Sequence, residues 1–231
     1  MVGIYRKDGD FFLCFRAVDI KFCIFIWRYC ESVVYLERVT MEFFKYRNKL
    51  KPVRGRLLIS EPYLPDPNFE RTIILLCENN EDGSFGFVLN KPSQAKVCEV
   101  MDDIKGYELP AMVGGPVQQD TLHYLHRFPS LEDSVEIAPG IYWGGNFERV
   151  LFLLDTKQMP HKDIKFYLGY SGWTAGQLEE ELEQDSWIVS DQVREDLIFD
   201  TDPEAMWKKT LTVMGGRFSV YSNYPKDPRL N

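Results

Sequence analysis

At 231 residues, with 45% hydrophobic content, the chain carries enough apolar material for one well-filled core, so one domain with an appended segment is the default reading. The formal charge of -8 is uneven: residues 1–50 hold 9 basic and 6 acidic side chains, which leaves 18 and 29 for residues 51–231, and a body that acidic, with no basic patch, excludes direct nucleic-acid binding as the expected function. The five cysteines, Cys14, Cys23, Cys30, Cys77 and Cys98, are odd in number and lack C-x-x-C spacing, which excludes a disulfide framework and a zinc finger and implies reduced thiols in the cytoplasm.

Residues 1–50 are set apart as an N-terminal extension, 51–225 as the folded domain and 226–231 as a tail. Within the extension, the apolar runs FFLCF and FCIFIW are interrupted by Arg16, Asp19, Lys21, Arg28 and Glu31, so no stretch approaches the roughly 20 apolar residues of a membrane helix. Nor is there a charge-free apolar region of the length and context a signal peptide needs. Residues 1–40 read either as a poorly integrated extension or as the product of an early assigned start, with Met41 opening a more ordinary lead-in.

In the body, GRLLIS predicts a short strand. The prolines Pro62, Pro65 and Pro67 predict an extended connection after it. Thr72–Cys77 (TIILLC) is apolar throughout and reads as a central strand buried on both faces, turning at Asp82-Gly83 into a partner strand FGFVLN that Asn90-Lys91-Pro92 stops. Val97, Val100, Met101 and Ile104 give a first helix at i, i+3, i+4, i+7. MVGGPV follows, with Gly114-Gly115 allowing unusual backbone angles, and then a strand around TLHYLHR. In that strand His123 and His126, three apart, face opposite sides and cannot share one metal, so no metal or cofactor is expected.

Ser134–Trp143 predicts a hairpin turning at Pro139-Gly140, and Asn146 caps a helix whose stripe Phe147, Val150, Leu151, Leu154 is widened by Phe152 and Leu153 until the helix is largely buried. Phe166–Trp187 then reads as strand, glycine turn bracketed by Gly169 and Gly172, helix and next strand. Thr174 and Gln177 are placed as a capping box, Leu178 and Leu182 as a docked stripe, and Glu179, Glu180, Glu181 and Glu183 as the solvated face. Asp202-Pro203 caps a helix with Trp207, Leu211 and Met214 on one side that ends at Gly215-Gly216, and RFSVYSNYP predicts one last edge strand.

Two functional readings attach to the glycine stretch. Gly169-Tyr170-Ser171-Gly172-Trp173 approaches the G-x-S-x-G nucleophile elbow, but Trp173 stands where a small residue must close the turn, so packing is the preferred explanation. The second is an anion site at the following helix N-terminus, which four glutamates oppose.

Six motifs in order, G-R-L-L-I-S, D-P-N-F-E-R, G-F-V-L-N-K-P, G-G-P-V, G-Y-S-G-W and G-Q-L-E, resemble the AlgH/YqgE proteins of bacteria from about Gly55 to about Pro225. The resemblance implies an α+β domain, a mixed and mostly antiparallel sheet curled toward an open barrel with helices packed around it. It brings no established activity; a transcriptional-regulator label attaches to some members. Asn79 stands where the family pattern usually shows histidine, which removes any acid-base or metal role from that position, and the family tolerates a residue without a hydroxyl at Ser171.

The preferred function is a non-catalytic binding or regulatory protein that acts through a small molecule or a protein partner. Its surface is expected to be built by Asp66, Arg71, Asn90, Gly114, Gly115, Tyr170, Trp173 and Gln177, chemically distinctive residues in turns beside apolar strands. The alternative is a hydrolase with its site at the Gly169–Gln177 turn.

Overall fold

Runs of β-branched, leucine and aromatic residues separated by glycine and Asx turns dictate a sheet, and a sheet is what the computed structural model contains. It describes residues 3–7, 10–14, 48–100 and 108–226, in two units, residues 1–45 and 46–231. In the first unit β1 (Gly3–Lys7) pairs antiparallel with β2 (Asp10–Cys14), Gly3 opposite Cys14. The remaining expectations for residues 1–40 fall outside the described residues. Among the described residues no helix is long and apolar enough to cross a membrane.

In the second unit the strands are β3 (Leu57–Ser60), β4 (Ile73–Asn80), β5 (Gly83–Val88), β6 (Pro92–Lys96), β7 (Pro110–Val113), β8 (Val117–His126), β9 (Val135–Ala138), β10 (Ile141–Trp143), β11 (Ile164–Thr174) and β12 (Trp187–Ser190). They form one ten-stranded sheet in the order β12-β3-β4-β5-β11-β8-β10-β9, with β7 beside β11 and β6 beside β7. The β7–β11 pair is parallel and the other pairs are antiparallel; β12 and β9 at the two ends are not paired to each other, so the sheet is open. The helices are α1 (Val97–Val100), α2 (Phe147–Asp155), α3 (Gln177–Glu183), α4 (Glu195–Phe199), α5 (Pro203–Met214) and α6 (Arg217–Tyr221). The remainder of the first predicted helix, Met101 and Ile104 included, lies outside the described residues.

β4 is as its apolar run requires, with Ile73, Ile74, Leu75 and Leu76 fully buried between β3 and β5. Separate cores lie under different parts of the sheet. One joins Ala111, Tyr124, Phe166 and Leu168 to Val150, Leu153 and Leu154 of α2; the other joins Leu58, Ile74, Val88, Trp173, Trp187 and Val189 to Leu178 of α3.

The largest correction concerns Phe166–Thr174. The sequence predicts a strand and then a turn; the structure has a single strand of 11 residues. Its first part pairs with β8 and β7, and Ser171–Thr174 pair with β5. The glycines serve close backbone approach. Gly169, at φ +64°, absorbs a register shift against β8, and a Cβ there would stand 2.5 Å from the Val117 carbonyl oxygen. A Cβ on Gly115 would stand 2.2 Å from the Tyr170 carbonyl carbon.

Because the strand runs on to Thr174, α3 starts at Gln177 behind Gly176, and only half of the capping box forms. The Thr174 amide donates to Gln177 Oε1 (3.1 Å), while the Thr174 hydroxyl donates to the same oxygen (3.2 Å). Glu181 leaves the predicted solvated face: its Oε2 accepts from the indole N–H groups of Trp173 (2.9 Å) and Trp187 (2.7 Å), and its Oε1 accepts from Gln177 Nε2 (3.0 Å).

Other differences have local causes. α2 is capped by Asn146, whose Oδ1 accepts from the Arg149 amide (3.0 Å), but Phe152 is 47% exposed beneath the Arg149 guanidinium, so the helix is amphipathic and not largely buried. Residues 217–221 form α6 and not an edge strand, because Gly215 and Gly216, both at positive φ, reverse the chain, and the i, i+3 pair Phe218 and Tyr221 packs edge to face. The proline segment folds into consecutive turns rather than an extended link; the Phe69 amide donates to the Asp66 carbonyl and the Asn68 amide to Asp66 Oδ1. β6, β7 and α4 are elements that no sequence pattern predicts, MVGGPV having the look of a glycine turn alone.

Candidate functional site

The residues expected to form one surface separate into two places. Asp66, Arg71 and Asn90 belong to a clamp. Asn90 Oδ1 accepts from the buried Ile73 amide (2.9 Å) and its Nδ2 donates to the Arg71 carbonyl (2.9 Å), at a point where Arg71 has φ 49°. The Arg71 guanidinium donates to the carbonyls of Tyr224 and Pro225, both at 2.6 Å, and lies 4.9 Å over the Trp207 ring. Lys91 Nζ ties the Pro67 and Asn68 carbonyls to the same corner. These side chains spend their polar groups holding the C-terminal segment and the turn loop onto the sheet.

Gly114, Gly115, Tyr170, Trp173 and Gln177 lie at the other place, around the middle of β11. Gly114 bridges strands by backbone alone: its N–H donates to the Leu168 carbonyl and its carbonyl accepts from the Val88 amide, both at 2.8 Å. Ser171 is 0% exposed and its hydroxyl donates to that same Gly114 carbonyl (3.2 Å). Its proton is committed and no solvent reaches it, so the hydroxyl has neither access nor a base. Gln177 is half-buried and hydrogen-bonded within α3.

Beside β11 opens a cleft of about 610 Å³, lined by Phe85, His123, Trp143, Tyr170 and Trp173 with Glu78 and Asp82 at its polar edge. Of the expected site residues only Tyr170 and Trp173 line it. Four adjacent strands, β5, β11, β8 and β10, each bring one ring: Phe85, Tyr170, His123 and Trp143. In a flat sheet β5 and β10 would stand about 14 Å apart, three strand spacings. The Phe85 and Trp143 ring centroids are 5.1 Å apart, a gap that the curl of the sheet and the reach of the two side chains close together.

The centroids run round a closed quadrilateral. Phe85 to Trp143 is 5.1 Å, Trp143 to His123 6.4 Å, His123 to Tyr170 6.0 Å and Tyr170 back to Phe85 6.1 Å. The fully buried Phe87 backs it, 5.1 Å from His123 and 6.2 Å from Trp143. Thr121 has one hydroxyl proton, donated to the Gln118 carbonyl (2.7 Å), so its oxygen accepts from His123 Nε2–H (3.1 Å) and Nδ1 is left as an acceptor. Burial pushes the His123 pKa below its ordinary value, which keeps the imidazole neutral at pH 7.

His126 faces away from the cleft. Its Nε2–H donates to the Gly144 carbonyl (2.9 Å) and its Nδ1 accepts from the Phe128 amide (3.1 Å), a fully satisfied neutral ring stacked on Tyr142. Among the described residues no three His, Cys, Asp or Glu side chains converge as a metal site requires. Asn79 joins the strand turn to the lead-in: its Nδ2 donates to the Pro52 carbonyl (2.6 Å) and its Oδ1 accepts from Ser84.

Phe85, Trp143, Glu78 and Asp82 are not set apart by any sequence motif, and His123 reads from sequence as a structural histidine. The available signal was the i, i+2 pair Phe85 and Phe87 on a strand next to a glycine hairpin. Which other strand closes over that face depends on the curl, and no local pattern encodes it.

The architecture is an α+β domain on an open, mostly antiparallel sheet whose curl creates one aromatic cleft. An AlgH-like family model (DUF179) matches residues 57–219, and the chain belongs to that family. It is similar to a UPF0301 protein of Chlorobium phaeobacteroides, 46% identical over 178 residues (77% of this chain, 95% of the relative), and to one of Cytophaga hutchinsonii, 47% identical over 180 residues (77% and 98%). Among solved structures it is similar to the AlgH protein from Pseudomonas aeruginosa, at 30% identity and TM-score 0.60 over 77% of this chain and 98% of that one. A protein from Corynebacterium diphtheriae, at 20% identity and TM-score 0.63, shares the fold, covering 78% of this chain and 95% of that one.

Proposed function

We propose that this protein is a non-catalytic binding protein of the cytoplasm, which takes a small molecule or a protuberant group of a protein partner into the cleft between β5, β11, β8 and β10. Any regulatory role runs through that partner. The observation that carries this reading is a sizeable cleft walled by Phe85, His123, Trp143 and Tyr170, in which the serine that came closest to a nucleophile motif is buried and bonded to a backbone carbonyl. Large aromatic surface with a few polar groups at its edge is what recognition needs. A hydrolase would need an exposed nucleophile beside a base, and Ser171 is neither exposed nor beside one.

Direct DNA binding has no support in the charge pattern: α3 carries Glu179, Glu180, Glu181 and Glu183, and a groove-inserting helix needs the opposite sign. The test is a ligand-observed NMR screen of the full chain with neutral, anionic and cationic fragments, repeated on Trp143→Leu and Ser171→Ala. Binders that Trp143→Leu loses and Ser171→Ala keeps are expected. Covalent labelling of Ser171 by a fluorophosphonate probe, or a screen with no binder sensitive to position 143, would overturn the reading.

A further inference from the structure

The chemical class of the ligand follows from what surrounds the four rings, granted the binding reading above. Each aromatic face presents the negative side of a quadrupole. Because the centroids close a quadrilateral whose sides are 5.1 to 6.4 Å, with neighbouring rings meeting edge to face or tilted, a charge seated over its middle comes within the about 6 Å range of cation–π attraction of the centroids, and gains it from each ring whose face is turned that way. The rim adds the same sign of preference: the exposed carboxylates of Glu78 and Asp82 line the cleft, and among the described residues no lysine or arginine does. A phosphate or carboxylate would meet two like charges at the mouth and aromatic rings inside, with no basic side chain among the described lining residues to compensate.

An uncharged aromatic could stack on the wall but would gain nothing from the rim. An organic cation gains from both. We infer that the cleft formed by Phe85, His123, Trp143 and Tyr170 under Glu78 and Asp82 is a recognition site for an organic cation, a guanidinium or alkylated ammonium head on an apolar stem.

That head has two sources, a side chain of a partner protein or a free small molecule, and matched isosteres that differ only in charge address each. N-acetyl-arginine amide is compared with N-acetyl-citrulline amide, and choline with 3,3-dimethylbutan-1-ol, by titration of the full chain followed through intrinsic tryptophan fluorescence and calorimetry. In at least one pair the cation is expected to bind about fivefold or more tightly than its neutral isostere. The pair that shows it identifies the source. The double variant Glu78→Gln, Asp82→Asn changes exposed residues outside the core and is expected to reduce cation affinity severalfold while leaving the neutral isostere unchanged; Trp143→Leu is expected to weaken both.

Equal affinity for cation and isostere, with both lost in Trp143→Leu, would overturn the charge assignment and leave the cleft as a binding site. Binding indifferent to all of these variants, or no binding by any of the four probes, would overturn the assignment together with the reading it rests on.

Discussion

Replacing Glu181 by alanine is the sharpest test of how the cleft-bearing strand is held. One carboxylate accepts both tryptophan indole N–H groups, from Trp173 at 2.9 Å and Trp187 at 2.7 Å, and Trp173 and Trp187 are 5% and 1% exposed. Removing the acceptor leaves two donors in a largely apolar surround, each costing about 1–3 kcal/mol when unpaired, so a loss of about 2–5 kcal/mol is expected. Glu181→Gln keeps one oxygen and the side-chain shape and should lose less, roughly 1–2 kcal/mol, because a charge-assisted bond becomes a neutral one.

Urea unfolding followed by circular dichroism and by tryptophan emission gives both numbers. A double-mutant cycle sharpens them: Trp187→Phe removes one donor together with part of a buried ring, a packing cost present in both arms of the cycle, so Glu181→Ala in that background should cost about 1 kcal/mol less than in the parent. A Glu181→Ala loss below about 0.5 kcal/mol, or a cycle with no coupling, would refute the claim that this carboxylate anchors α3 to β11 and β12.

Asn90→Ala leaves the buried Ile73 amide and the Arg71 carbonyl unpaired, and a loss of about 2–4 kcal/mol in urea unfolding is expected. Asn48 imitates a neighbouring strand on the edge of β12, accepting from the Val189 amide (2.7 Å) and donating to the Trp187 carbonyl (2.8 Å); Asn48→Ala should therefore cost about 1–2 kcal/mol and raise concentration-dependent association in sedimentation velocity. His126 bonds as a neutral ring, and burial holds its pKa below the ordinary value, opposed by the bond to the Gly144 carbonyl.

The unfolded chain therefore binds the His126 proton more readily, and stability present above about pH 6.5 should fall as pH drops below it, with a shallower fall in His126→Gln. The check is the midpoint of urea unfolding between pH 7.5 and 5.5. Equal slopes in parent and variant would contradict the assignment. Gly115→Ala places a methyl 2.2 Å from the Tyr170 carbonyl carbon, so little folded protein is expected from its expression and the residue should be under-protected in hydrogen exchange if any survives.

Much of the scaffold was legible because its signals are local. The apolar run at Ile73–Leu76 had to be a buried strand, Pro139-Gly140 a hairpin turn, and Asn146 and Asp202 caps, and each reading depends on a few neighbouring residues. The stretch Gly169–Gly172 misled because glycine marks both turns and close strand crossings, and only the position of Val117 and Gly115 against it decides between them. RFSVYSNYP was ambiguous for a related reason: a short apolar run fits either period, and the two preceding glycines at positive φ set its direction.

The site was the least legible part. Asp66, Arg71 and Asn90 looked distinctive because each bonds to backbone: Asp66 to the Asn68 amide two residues on, Asn90 to the Ile73 amide and the Arg71 carbonyl, and Arg71 to the Tyr224 and Pro225 carbonyls far along the chain. The cleft residues looked ordinary, since an isolated Phe85 or Trp143 reads as core until the curl of the sheet places it beside the other.

The measurement closest to the heart of the account is a backbone chemical-shift map of the full chain titrated with the tighter-binding cationic probe. The predicted perturbations cluster at Phe85, His123, Trp143 and Tyr170 with Glu78 and Asp82, and spare Asp66, Arg71 and Asn90. Perturbations centred on the Asp66–Arg71 corner, or scattered without any focus on the four rings, would contradict it.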